Sequence, residues 1–322
     1  MRETERNQPM STNSIENQRF HDQLLHLLRW EDLDEEYIRQ LITLAKEEDL
    51  EGAGLEAIPP SPGDVTTSAI ATDETKRAQI VASEELVICG LPLVPLILDT
   101  YGTDQGFEAL VEEGVPVREG EVLAEFSGST TSIITAERVI LNFLGHLSGI
   151  ATNTARFVEE LHWSTTKLID NRNSVPGLRV LEKYAVAQGG GWNQRVGLFD
   201  RIVISEKHFC QSHTVATERF ANAVDRARHC YPNLPVEVEV HCLDQIPAIV
   251  ETGVEVIRLL NFSLCDLTEA IELIGTAAFS EASGPYCLQD ISQLSNIGLD
   301  FVSCSTVINQ SVRKEMNLIW CD

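Results

Sequence analysis

The stretch Lys167-Leu168-Ile169-Asp170-Asn171-Arg172-Asn173-Ser174-Val175-Pro176-Gly177-Leu178-Arg179 decides the architecture. Its first four residues are strand-like, and they run straight into a polar, arginine-bearing loop that a Pro-Gly pair closes. A strand that ends this way presents side chains to a ligand. The loop Gly189-Gly190-Gly191-Trp192-Asn193-Gln194-Arg195 comes next, and strand candidates at 167–170, 201–205, 236–241, 255–260, 278–283 and 299–304 alternate with helical stretches. Such β-α alternation predicts parallel strands joined by crossover helices, with function at the strands' C-terminal ends.

Upstream the pattern changes. From Thr135 a long helix is expected, with Ile140, Phe143, Leu147, Ile150 and Ala155 on one apolar stripe. Before it, 78–90 and 91–98 read as strand, turn and apolar segment. Gly114 and Gly120, followed by Val122-Leu123-Ala124 and Gly128, space short alternating strands. Residues 35–50 and the run Phe20 to Leu28 have the apolar spacing of amphipathic helices. Residues 52–62 are linker-like, and the polar residues 1–20 are expected to form a disordered tail. An α+β N-terminal domain over 21–134 and an α/β-barrel domain over 135–305 follow from this reading.

With 322 residues and 43% apolar content, the chain has enough material for two domains. It contains no 18-residue apolar run, and its N-terminus is polar and charged, so a membrane span and secretion are not expected and a cytoplasmic location is. A net charge of −25 disfavours nucleic acid and anionic membrane, which need a basic surface. The eight cysteines show no C-x-x-C spacing and read as buried free thiols, with neither zinc nor haem expected. His208 and His241, on neighbouring strand ends, could join Glu239 at a metal; hydrogen bonding is the alternative role for both.

The stretch Thr135-Ala136-Glu137-Arg138-Val139-Ile140-Leu141-Asn142-Phe143-Leu144, the run Leu147-Ser148-Gly149-Ile150-Ala151-Thr152, the Asp170 segment and the triple-glycine loop together resemble the quinolinate phosphoribosyltransferase family (nicotinate-nucleotide pyrophosphorylase, carboxylating). The resemblance runs from about Gly63 to the C-terminus. It implies an incomplete α/β barrel of the type II phosphoribosyltransferase kind behind an α+β domain, with a C-terminal tail over about 306–322 returning to the first domain. The activity implied is transfer of phosphoribose from phosphoribosyl pyrophosphate to quinolinate in NAD biosynthesis, yielding nicotinate mononucleotide, CO2 and pyrophosphate. Mg2+ and a homodimer with shared active sites are implied with it.

Residue by residue, the resemblance is uneven. Arg138, Arg172 and Arg195 occupy three family positions whose cations bind the pyridine dicarboxylate and the phosphates, and the residue at Arg138 reaches the neighbouring subunit's site. Glu239 keeps the family's magnesium and ribose position, and Ser283-Gly284 keeps a phosphate turn. Asn173 and Ser205 stand where the family has lysines, Gln194 where it has histidine, Leu260 where it has aspartate, and Ser305 where it has glycine. Lys207 shares a face with position 205, and Arg258 with Leu260, so both are candidates to restore lost charge. The alternative is a solvated lysine and an arginine paired with Glu237 or Glu239. A second function therefore stands beside the first: a catalytically inactive or repurposed relative that binds a dicarboxylate or phosphate ligand or acts as a dimeric interaction protein. The signature Gly63-Asp64-Val65-Thr66-Thr67 is read as a turn rather than a ligand contact.

Overall fold

The computed structural model describes residues 24–57, 60–103, 105–209 and 216–321. The expected tail over 1–20 lies outside these residues, as does Cys210; of the described cysteines only Cys89 and Cys304 are buried, while Cys230, Cys242, Cys265 and Cys287 are exposed, which corrects the reading of buried thiols. Two helices open the N-terminal part. Asp34 caps α1 (Glu35–Glu51) by accepting from Glu36 N–H, and Asp64 caps α2 (Val65–Ile70) by accepting from Thr67 N–H at 2.9 Å. The Gly63-Asp64 signature thus serves as a helix start. A four-stranded antiparallel sheet follows, built from β1 (Thr75–Ala82), β3 (Gln105–Ala109), β5 (Val122–Ser129) and β12 (Met316–Trp320) in the order β12-β1-β5-β3, while β2 (Leu86–Val87) and β4 (Pro116–Val117) pair with each other antiparallel. Ala78, Ile80 and Ala82 alternate toward the core along β1.

The long helix α3 (Thr130–Glu160) backs this sheet and leads to the second part. It starts five residues before Thr135, because Ser129 accepts from Ser132 N–H and supplies a cap that the apolar stripe did not reveal. Ile133, Ala136, Ile140, Leu144, Leu147 and Ile150 are buried along it. No helix among the described residues is long and apolar enough to cross a membrane.

Six parallel strands make the second sheet: β6 (Lys167–Ile169), β7 (Ile202–Ile204), β8 (Val236–Val240), β9 (Val256–Leu260), β10 (Phe279–Gly284) and β11 (Phe301–Cys304). Their order is β6-β11-β10-β9-β8-β7, so β6 and β7 are edges and the barrel is incomplete, as expected. The first edge is lengthened by Trp192, whose N–H bonds Leu168 C=O at 2.9 Å, and by His26, which exchanges backbone bonds of 3.0 and 2.8 Å with Asn193. That second contact corrects the helical reading over 25–28, while 20–23 lie outside the described residues. Residues 25–29 are not helical; Leu24 and Leu25 are instead buried beside Ile169, Val256 and Phe301. Burial in the barrel floor has overridden a pattern that fits a helix equally well.

Strand alternation sorts the barrel interior into layers. Along β9, Val256 lies in the apolar floor, Arg258 comes next and Leu260 ends at the rim. Along β10 the succession is Phe279, Glu281 and Ser283. The Val-Glu-Val-Glu-Val sequence of β8 has the same origin, with Val236, Val238 and Val240 in the outer apolar core and Glu237 paired inward to Arg201.

Candidate active site

A cavity of roughly 430 Å³ opens at the C-terminal ends of the six strands. Two loops after β6 form one wall, carrying Arg172 and Asn173, then Gln194 and Arg195. Both are held from behind by a buried network. The Asp170 carboxylate accepts from Lys183 Nζ at 2.5 Å, from Asn193 Nδ2 at 2.9 Å and from Gln194 N–H at 2.8 Å. Glu182 accepts from Val175 N–H and pairs with His146, each at 2.9 Å, while Asn171 Oδ1 turns the loop by accepting from Asn173 N–H. The arginines are therefore presented by fixed backbone.

The opposite wall comes from the remaining strand ends. It carries Lys207 after β7, Glu239 on β8, Arg258 and Leu260 on β9, Ser283 and Gly284 on β10, and Ser305 after β11. Arg258 is mostly buried. Its Nη1 lies 3.4 Å from Glu237, its Nε lies 3.2 Å from Glu281, and its Nη2 donates to Ser283 Oγ at 2.9 Å. Arg201 holds the other Glu237 oxygen at 3.0 Å. Burial alone would lower the Arg258 pKa, but Glu281, Glu237 and Glu239 outweigh it and hold it above the usual arginine value. Burial, with Glu237 next, raises Glu281.

The outer cations are arranged differently. Among the described residues Arg172, Arg195 and Lys207 have no carboxylate ion-pair partner, and the buried Nε atoms of Arg172 and Arg195 have no hydrogen-bond acceptor. Burial lowers the Arg195 pKa, and the positive field of Arg172, Arg258 and Arg201 adds to this against the pull of Glu237. A guanidinium held in that state is suited to a carboxylate or phosphate, which its fork grips bidentately.

Several predicted residues lie elsewhere or act differently. Arg138 is exposed on α3 and does not line the cavity of its own chain. Ser205 is buried beneath His208, whose Nδ1 accepts Ser205 N–H at 3.0 Å, and it is Lys207 that reaches the cavity. Gln194 turns its amide away from the opening, donating to Glu281 at 3.2 Å. The two readings of Arg258 prove compatible, since it pairs with Glu237 and still lines the cavity. Among the described residues no three His, Cys, Asp or Glu side chains gather as metal ligands; the His208 ring accepts Ser205 N–H, and His241 donates its backbone N–H to Gln245 Oε1.

The donor set does not fit a resident Mg2+. Mg2+ is held by one or two carboxylates together with waters and substrate phosphates, and among the described residues Glu239 is the one lining carboxylate, register partner of Arg258 on β9, whose charge opposes a cation there, with apolar Leu260 two residues on. No step is routed through a metal. Sequence reading missed Asn171, Asn261 and Pro285 at the cavity and Arg201 beneath it. Asn261 carried a signal, since an asparagine after a strand suits the left-handed conformation that it adopts at φ 55°.

Residues 64–148 match the quinolinate phosphoribosyl transferase N-terminal domain, and residues 150–318 match the C-terminal domain. The chain is 35% identical over 253 residues to a probable nicotinate-nucleotide pyrophosphorylase (carboxylating) of Synechocystis, covering 77% of this chain and 84% of that protein. It is 33% identical over 257 residues to the nicotinate-nucleotide pyrophosphorylase (carboxylating) of Mycobacterium leprae, covering 78% and 88%. The structure of the nicotinate-nucleotide pyrophosphorylase from Francisella tularensis superposes with a TM-score of 0.82 at 28% identity, covering 92% of this chain and all (100%) of that one.

Proposed function

The chain belongs to the quinolinate phosphoribosyltransferase family, and from that premise we propose that it forms nicotinate mononucleotide from quinolinate and phosphoribosyl pyrophosphate. The ring nitrogen of quinolinate attacks C1 of the phosphoribosyl group, and the bond from C1 to the pyrophosphate oxygen breaks with its electron pair. Carbon dioxide then leaves from the carboxylate next to the nitrogen, and the ring carbon takes up a proton.

One observation carries this reading: Arg172, Arg195 and Lys207, unpaired among the described residues, converge with Ser283-Gly284 on one cavity at the strand ends. The two guanidinium forks suit the carboxylates of the acceptor. Lys207 and the Ser283 turn suit the phosphates, where positive charge stabilises the departing pyrophosphate. Lys207 and Arg258 bring cations to a cavity from which the positions of Asn173 and Ser205 have lost theirs. No specific observation favours the inactive or repurposed alternative.

We include a homodimer in the proposal, because Arg138 is exposed and completes a site only if a second copy receives it. A cytoplasmic setting belongs to it too, in keeping with seven free cysteines among the described residues. The test is quinolinate- and phosphoribosyl-pyrophosphate-dependent release of CO2 and pyrophosphate by the purified protein. Release of both in equal amounts is expected, and release of neither would overturn the reading. Light scattering at micromolar concentration is expected to give the dimer mass; a monomer would remove Arg138 from the site.

A further inference from the structure

The rim departs from what a divalent cation requires, and the departure is organised. Glu239 and Arg258 are register partners on β8 and β9, so the single lining carboxylate among the described residues lies against a strand that carries a guanidinium. Two residues along that strand the rim position is Leu260, which offers no oxygen. A dication here would meet one carboxylate, Arg258 beside it and Lys207 across the same cavity, and like charges at such range repel more strongly than in bulk water. The same groups favour an anion.

Arg258 also prepares a donor. Its Nη2 donates to Ser283 Oγ at 2.9 Å, which occupies a lone pair of that oxygen and leaves the hydroxyl proton free to point into the cavity that Ser283 lines. Ser283-Gly284 ends β10 at this point. Lys207 supplies an ammonium from just beyond the end of β7, exposed and without an ion-pair partner among the described residues. A tetrahedral phosphate group placed between them meets an ammonium on one side and a polarised hydroxyl on the other.

We propose that this cavity takes the diphosphate of its substrate as the metal-free anion, held by Lys207 and by the Ser283 hydroxyl that Arg258 orients. The proposal rests on the phosphoribosyl transfer proposed above and names how the donor is recognised. Arg258 is here a positioning residue, acting through Ser283.

Calorimetric titration of the full chain with inorganic pyrophosphate, in EDTA and then in excess Mg2+, tests it. Binding in EDTA is expected to match or exceed binding in Mg2+, since the metal sequesters the free anion. Tightening by tenfold or more on adding Mg2+ overturns the proposal. Lys207→Met and Ser283→Ala are each expected to weaken pyrophosphate about tenfold, as loss of a charge-assisted hydrogen bond does, while Ser283→Thr keeps the hydroxyl and most of the affinity. Arg258→Lys retains charge between Glu237 and Glu281 but loses the fork; it should weaken binding in the native background and add nothing in Ser283→Ala. Additive losses would overturn the positioning role. Leu260→Asp, if it folds, should make binding respond to Mg2+, and if it does not fold the native chain decides alone. Metal-free binding without turnover of quinolinate would overturn the proposed reaction and leave this inference standing. Turnover with strictly Mg2+-dependent binding would do the reverse, and no binding under either condition overturns both.

Discussion

The barrel holds two sets of charges, one between its strands and one at and beyond their C-terminal ends, and they are treated in opposite ways. In the middle layer Arg201 and Arg258 face Glu237 and Glu281, and each carboxylate is met by a guanidinium or by the Gln194 amide within 3.4 Å. At the rim Arg172, Arg195 and Lys207 share the cavity with Glu239 as its one carboxylate among the described residues. A charge deep in the protein must be matched locally, because an unpaired ion there costs several kcal/mol. A charge at a wet opening can wait for a ligand. The difference shows how a chain of net charge −25 still builds a receptacle for polyanions: its excess of carboxylates lies elsewhere, and the rim is a small positive region inside a negative field.

The comparison breaks most visibly in the middle layer. Arg201→Met leaves Glu237 with only the 3.4 Å contacts from Arg258 and the Gln194 amide, and removing one partner of a buried pair typically costs about 3–5 kcal/mol. A urea melt is expected to show that loss as a lower midpoint with little change in slope. An unchanged midpoint would mean that water reaches this layer and that it is no different from the rim. The converse holds for Arg195→Ala: stability should stay nearly constant while turnover of quinolinate falls about 10²–10³-fold, the usual cost of one preorganised electrostatic donor. A large stability loss with a small kinetic one would reverse the assignment of the two layers.

Much of this division was legible in the sequence, and the rest was hidden for identifiable reasons. The six strands were readable because apolar runs alternate with helical spacing, and Arg172 and Arg195 were readable because polar loops follow strands. What alternation cannot give is how charges pair across strands. Arg258 could be assigned to a face but not to Glu237 and Glu281, since that depends on the β8-β9-β10 register. The layer beneath the site depends equally on Arg201, one residue before β7, which has no sequence feature that distinguishes it from a surface arginine. Leu24 and Leu25 were misread because an apolar pair has no direction until a floor exists to receive it.

Adding charge at the rim sharpens the contrast with smaller effects. Asn173 is exposed and lines the cavity, so Asn173→Lys places an ammonium where a ligand phosphate would meet it with little desolvation. Screened by solvent, such a charge contributes about 1 kcal/mol, or roughly five-fold in affinity for phosphoribosyl pyrophosphate. Calorimetry at low and high salt should show the gain shrinking as ionic strength rises. A gain that salt does not touch would indicate a new hydrogen bond rather than charge at the rim.

The smallest effect is expected from Ser205→Lys, although its family counterpart is also a lysine. Ser205 is 8% exposed and lies behind His208, whose ring accepts its N–H, and the opening beside it is already reached by Lys207. A lysine at 205 must displace the histidine or stay buried, where desolvation lowers its pKa and removes the charge it was meant to add. Phosphoribosyl pyrophosphate affinity should therefore change by less than about two-fold, well under the step expected of a rim charge. In a Lys207→Met background the same substitution should recover part of the lost affinity, because the opening is then free for the new side chain to cross. A full gain from Ser205→Lys in the native background would show that the two lysines do not compete for one place, and that Lys207 belongs to the solvent rather than to the site.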